Sequence, residues 1–202
     1  VIAQWRRSWA DRVAMGGNPD VLFAMTGTGN VANGDYQKVI SATSTVTGAT
    51  LWTSPLKGAP TYTGGWIPSF VTAGRQYEGQ PLAVSADDRR LYVLHWWTGE
   101  VEVLDTATGA SLGTIVLPAT TDLRNIVASP VSPLAFVTDW TNNSVYVINT
   151  ETLALTSTLR IDGRCLETMD IDATGDLLSV VAACDNPRVL LIRASDGSTV
   201  AE

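Results

Sequence analysis

The 202-residue chain is poor in the residues that most readily announce chemistry. It has one histidine, two cysteines, and only 16% charged residues, with 13 Lys and Arg against 20 Asp and Glu. A single histidine, His95, cannot build a two- or three-histidine metal site, and no G-x-S-x-G, Gly-rich phosphate loop or paired-cysteine metal spacing stands in for one. The formal charge of -7 and the acidic pI of about 4.6 oppose a phosphate backbone, which argues against nucleic acid as a partner. The one basic cluster, Arg6, Arg7 and Arg12, is interrupted by Trp9 and Asp11. No uninterrupted apolar run approaches the roughly 20 residues of a spanning helix, so membrane insertion is not expected. The chain opens without Met on "VIAQWRRSW", which suits a processed protein or an internal piece of a longer one.

What the chain has is apolar material, 45% of its residues, arranged in a repeat. The segment "RLYVLHWWTGEVEVLDTATGASL" (90–112) aligns without gaps on "LAFVTDWTNNSVYVINTETLALT" (134–156), 44 residues on. Tyr92 falls on Phe136, Trp96 on Trp140, Val101 on Val145, Val103 on Val147 and Asp105 on Asn149. A further step of 44 reaches "LLSVVAACDNPRVLLIRASDGST" (177–199) and puts Val180 and Val181 at the Phe136 and Val137 positions. Upstream, "PLAVSADD", "NIVASPVS" and "MDIDATGD" extend the same register.

Each copy holds four short runs of alternating, β-branched residues separated by Asp, Gly, Asn and Pro clusters, which predicts antiparallel strands. Four strands in about 45 residues is one blade of a β-propeller. The predicted fold is all-β: a β-propeller or partial propeller of about four four-stranded blades, in one domain over 1–202. A degenerate blade spans 19–57, with "STVTG" (44–48) standing where "DTATG" (105–109) stands, and regular blades span 81–118, 125–162 and 169–202. Residues 1–18 form an N-terminal extension in which Ile2, Trp5, Trp9 and Val13 have the spacing of a helix face, though an irregular strand is the alternative. The Gly- and aromatic-rich insertion 58–80 either binds something or caps a core edge.

Phe136, Val137, Thr138 and Asp139, with Asp105, Thr106 and Thr108 at the following turn, resemble the repeat of YVTN-type β-propellers. The third copy keeps the register while losing the motif, since Ala182, Ala183 and Arg193 occupy its polar positions. Ala42, Ser44, Thr47, Gly48 and Trp52 are similar to the tryptophan-docking repeat of quinoprotein propellers, in which the Trp is held between blades. The resemblance implies a fold that serves surface-layer proteins, receptors and redox enzymes alike, so it leaves the function open.

In such a blade the loop entering the inner strand and the loop leaving the next one share a face. Cys165 and Cys184 occupy those two loops, so a disulfide between them is expected, the alternative being two separate buried thiols. A disulfide favours an extracellular or cell-surface location, with the periplasm as alternative. His95, Trp96, Trp97, Asp139, Trp140, Asp185 and Asn186 share the turn after the second strand and form a candidate binding rim, because exposed Trp is uncommon without a partner or sugar. Against that, one of Trp96 and Trp97 must point inward, and Trp140 can pack under the next turn. Asn142 begins an Asn-Asn-Ser sequon on the same turn, where a tight turn alone would also favour Asn. Asp170, Asp172, Thr174 and Gly175 imitate part of a calcium loop, but Val181 stands where its last acid belongs.

The leading expectation is a non-enzymatic extracellular or cell-surface module, without cofactor or metal, for protein or glycan interaction or structural assembly. Its partner would be another protein or further blades of the same parent chain. The alternative is part of a periplasmic quinoprotein-like oxidoreductase.

Overall fold

The computed structural model describes residues 10–28, 37–56, 81–95, 98–118, 122–184 and 186–202. They form sixteen strands in four antiparallel sheets, each running in chain order from its first strand to its fourth. Blade one contains β1 (Ala10–Met15), β2 (Val21–Thr28), β3 (Gln37–Ser44) and β4 (Thr50–Pro55). Blade two contains β5 (Leu82–Val84), β6 (Arg90–His95), β7 (Glu100–Asp105) and β8 (Ser111–Val116). Blade three contains β9 (Leu123–Ala128), β10 (Leu134–Asp139), β11 (Ser144–Asn149) and β12 (Ala154–Arg160). Blade four contains β13 (Leu166–Ile171), β14 (Leu177–Ala182), β15 (Arg188–Arg193) and β16 (Thr199–Ala201).

The first strand corrects one boundary. Ala10–Met15 falls within the segment set aside as an extension, yet it pairs antiparallel with β2, Met15 opposite Leu22. Residues 10–15 are therefore strand and not helix; 1–9 and the insertion 58–80 lie outside the described residues.

The first strands sit side by side, β1 against β5, β5 against β9 and β9 against β13. The sheets consequently stack face to face in chain order, and alternation along each strand feeds two seams at once. In blade three, Ala135, Val137, Tyr146 and Ile148 pack toward blade two, while Phe136, Val145 and Val147 pack toward blade four. Three apolar seams result, one between each pair of consecutive blades. A fully buried residue such as Phe136 or Leu94 contributes about 1.5–3 kcal/mol over its exposed state, so the seams hold the array together.

The turn between third and fourth strands explains the Asp-Thr-x-Thr pattern. Asp105 Oδ1 accepts from the backbone N–H of Ala107 and Thr108 and from the Thr108 hydroxyl, at 3.1, 2.9 and 2.8 Å. Those bonds hold its carboxyl below the usual range. Asn149 Oδ1 accepts from Thr152 N–H at 2.9 Å and Ser44 Oγ from Thr47 N–H at 3.2 Å, the same bond made by three residue types.

The register of blade four departs from the gapless alignment. Val137 lies opposite Ile126 and Tyr146, whereas its counterpart opposite Met169 and Leu190 is Val180, 43 residues later and not 44. The turn 183–187 is one residue longer than 140–143, and the connection 161–165 is one residue shorter than 117–122. The two changes cancel, so the third and fourth strands regain the 44-residue step, with Leu191 at the Val147 position.

Candidate functional site

The two cysteines sit where both length changes occur. Cys165 and Cys184 are joined by a disulfide, their Cα atoms 5.4 Å apart. The pairing is also zipped by the backbone, since Ala183 N–H donates to the Cys165 carbonyl at 3.1 Å and Cys184 N–H to that of Arg164 at 3.3 Å. Cys165 has a φ of 60° and donates its own N–H to Asn143 Oδ1 at 3.0 Å, tying the loop to the β10–β11 turn of the preceding blade.

That turn points one of the expected rim residues inward. Asp139 is fully buried and works as the turn's acceptor: Oδ1 takes the backbone N–H of Thr141 and Asn142, and Oδ2 takes Asn142 Nδ2 at 2.7 Å and the Tyr146 hydroxyl at 2.8 Å. Burial, reinforced by this carboxylate, pushes the Tyr146 hydroxyl up to about 12. Asn142 itself is exposed, but its amide nitrogen is committed to Asp139, and Ser144, the sequon's hydroxyl residue, is buried with Oγ on the Asn142 carbonyl. The sequon therefore works in the fold as a turn.

His95, 44 residues before Asp139, is buried as well. Its Nε2 lies 3.2 Å from Glu102 Oε2, and Glu102 Oε1 accepts from the Ser111 hydroxyl at 2.7 Å. Both residues stand on the face of blade two that looks toward blade one, because Val93, on that face, pairs with Glu102. Trp140 is half-buried beneath the Arg124 guanidinium, 4.5 Å from its ring centre, and Arg124 is paired with Asp122. Asn186 alone of these is exposed and described; Trp96, Trp97 and Asp185 lie outside the described residues. Asp172 likewise serves a turn, accepting from Thr174 Oγ1 and from the backbone N–H of Asp176 and Leu177. Among the described residues no three His, Cys, Asp or Glu side chains gather as a metal site.

The open surface lies elsewhere. Val101 and Val103 are buried in the seam to blade three, and Val145 and Val147 in the seam to blade four. Val189 and Leu191 hold the same positions in blade four and are 51% and 37% exposed. Among the described strands, β13 does not pack on β1 as the other first strands pack on their neighbours. Beside this bare face runs a cleft of about 350 Å³ along β13, lined by Asn125, Val127, Thr168, Asp170, Ser179, Val181 and Val189 among others. A second of about 330 Å³ is bordered by all four first strands, including Met15, Val84, Ala128 and Ile171.

The blade-four face was only half visible in the sequence, because repeat position gave its apolar character and not its exposure. Asn125 was missed altogether. The signal was present, since it is the one uncharged polar residue in the strand "LRNIVA".

Four chain-ordered, four-stranded antiparallel sheets meeting at their first strands are shared with many solved structures. Hydrazine synthase from Kuenenia stuttgartiensis superposes on 100% of this chain with a TM-score of 0.67 at 16% identity. U3-55K and the WD40 repeats of RRP9 each superpose on 98% with a TM-score of 0.69 at 12% identity. The fold is a β-propeller. The chain spans about half the length of these structures, 51–52% of each. No protein-family model and no curated protein matches it. The propeller neighbours span an enzyme subunit and WD40 proteins, so the likeness carries the architecture alone.

Proposed function

We propose that this chain is a non-enzymatic propeller module of YVTN type that works outside the cytoplasm by holding other protein. The observation that carries the reading is the blade-four face. Val189 and Leu191 repeat the chemistry of Val145 and Val147 in the same register, yet nothing among the described residues covers them. A blade needs both faces against neighbours, so we take this face to receive a further blade of the same polypeptide in the native protein. Solved propellers about twice as long as this chain are in keeping with that.

The location rests on the Cys165–Cys184 disulfide, which persists only where the compartment is oxidising. The non-enzymatic reading rests on how the reactive side chains are used: His95 is paired with Glu102, and Asp139 is spent on its turn. The test is the native protein's intact mass and visible spectrum. A mass well above 21.5 kDa with no visible chromophore supports the reading. A native mass of twice 21.5 kDa, dissociating to single chains, would replace the further blade by a second copy, and a bound chromophore would favour the quinoprotein-like oxidoreductase instead.

A further inference from the structure

Each of the three seams is filled by an aromatic side chain of its leading blade, and blade four brings none of its own. Phe23, Tyr92 and Phe136 hold one place on the second strands of blades one, two and three, opposite Ala42, Val103 and Val147 of the third strands. All three are buried, one in each successive seam. In blade four that place, opposite Leu191, falls to Ser179. Residues 147–202 contain no Phe, Tyr or Trp, so blade four has no other aromatic residue to offer.

The cleft of about 350 Å³ along β13 is lined by Ser179 together with Val127, Val181 and Val189. Asn125 stands in the same wall, 3% exposed, and its Oδ1 has no hydrogen-bond partner. A buried carbonyl oxygen in that state calls for a donor, because the bond it made to water in the unfolded chain has not been replaced.

We propose that a tyrosine of the further blade fills this cleft, its ring taking the kind of space that Phe136 takes one seam earlier and its hydroxyl donating to Asn125 Oδ1. The inference rests on the reading that a further blade covers the blade-four face, and it names what that blade brings. Three valines suit a ring, and a serine in place of Phe136 makes room for one arriving from the other side of the seam. Tyrosine already works in this way in the array. Tyr146 stands on the face of blade three that looks back at blade two, and its hydroxyl donates to a buried acceptor, Asp139 Oδ2, at 2.8 Å. Phenylalanine or leucine would leave Asn125 Oδ1 bare.

The test is NMR on the native protein with isotope-labelled tyrosine rings and valine methyl groups. A tyrosine ring outside residues 1–202 should show nuclear Overhauser contacts to the Val181 and Val189 methyls, and its signals should shift in Asn125→Leu, which removes the acceptor. Ser179→Phe should lower the melting temperature by a few degrees, since two rings then compete for one space. The proposal is overturned, with the further blade left standing, if those methyls contact that blade but no tyrosine ring. A ring unmoved by Asn125→Leu, a ring belonging to residues 1–202, or a Ser179→Phe variant that melts as the native protein does also overturns it. Methyls that contact only blade four and are bleached by a soluble paramagnetic probe overturn both the proposal and the further-blade reading.

Discussion

Trp52 and Gly109 meet across the seam between blades one and two, and Gly113 and Leu153 meet across the next seam with the sizes reversed. The Trp52 indole N–H donates to the Thr106 carbonyl at 2.8 Å, and a Cβ on Gly109 would stand 2.5 Å from the ring. Gly113 takes the Trp52 place in its blade, as shown by pairing with Val103 where Trp52 pairs with Ala42. Leu153 takes the Gly109 place, with a φ of 54° against 72°, and a Cβ on Gly113 would stand 2.3 Å from its side chain. Large on small therefore fills one seam and small on large the next.

Gly109→Ala is expected to lower stability by about 1–3 kcal/mol, through overpacking against Trp52 and an alanine forced to positive φ. Gly109→Ala should cost less in a Trp52→Ala background than in the native one, because the clash is gone there and only its backbone cost remains. A double-mutant cycle by urea melts reads the coupling. Strictly additive losses would show that Trp52 does not sense Gly109.

Tyr146 makes stability depend on alkaline pH. Its folded value is pushed up to about 12 from an ordinary 10 by burial and by Asp139. The folded state thus holds the proton more tightly than the unfolded chain. The contribution is fully present below pH 10 and is lost as pH rises from 10 through 12. Tyr146→Phe should flatten that stretch of the stability curve, read by thermal melts from pH 8 to 11.5, and should also cost stability at pH 8 by leaving Asp139 Oδ2 one donor short. An unaltered slope in Tyr146→Phe would assign the alkaline loss to other groups.

The propeller was legible because its determinants are local and repeated: alternation over six residues, an Asp or Asn capping a turn, and a fixed step of 44. Register in blade four was not. Sequence alignment put Val180 on Phe136, and a one-residue change in each of two flanking loops moved Val180 to the opposite face, where it packs on blade three. His95 and Asp139 are buried for another reason. His95 and Asp139 share a repeat position with exposed turns, but burial there depends on a partner across the hairpin, Glu102 in one case and Tyr146 in the other, and repeat position carries no account of such pairs.

Reduction of Cys165–Cys184 should raise the intact mass by ~2 Da and destabilise the chain by about 3 kcal/mol, the chain-entropy value for a loop closed over 19 residues. The loss should concentrate in blade four, because the loop that the disulfide closes also carries the Cys165 N–H bond to Asn143 in blade three. Hydrogen exchange on the reduced protein should show β13 and β14 deprotected before β6 and β7. Uniform deprotection would mean that the disulfide supports the array as a whole.

Val145 and Val189 occupy one repeat position in opposite circumstances, which turns a pair of identical substitutions into a test of the seam. Val145→Asp places a carboxylate inside the apolar blade three–four core and should unfold or nearly unfold the chain. Val189→Asp places the same group on a surface already half open, and in the 202-residue chain should change stability by no more than about 0.5 kcal/mol. In the native protein the two should converge if a further blade covers Val189, because burial then makes its carboxylate as costly as that of Val145. Thermal melts of Val189→Asp in both settings decide the matter. Equal tolerance in the native protein would leave the blade-four face bare in both and remove the assembly reading.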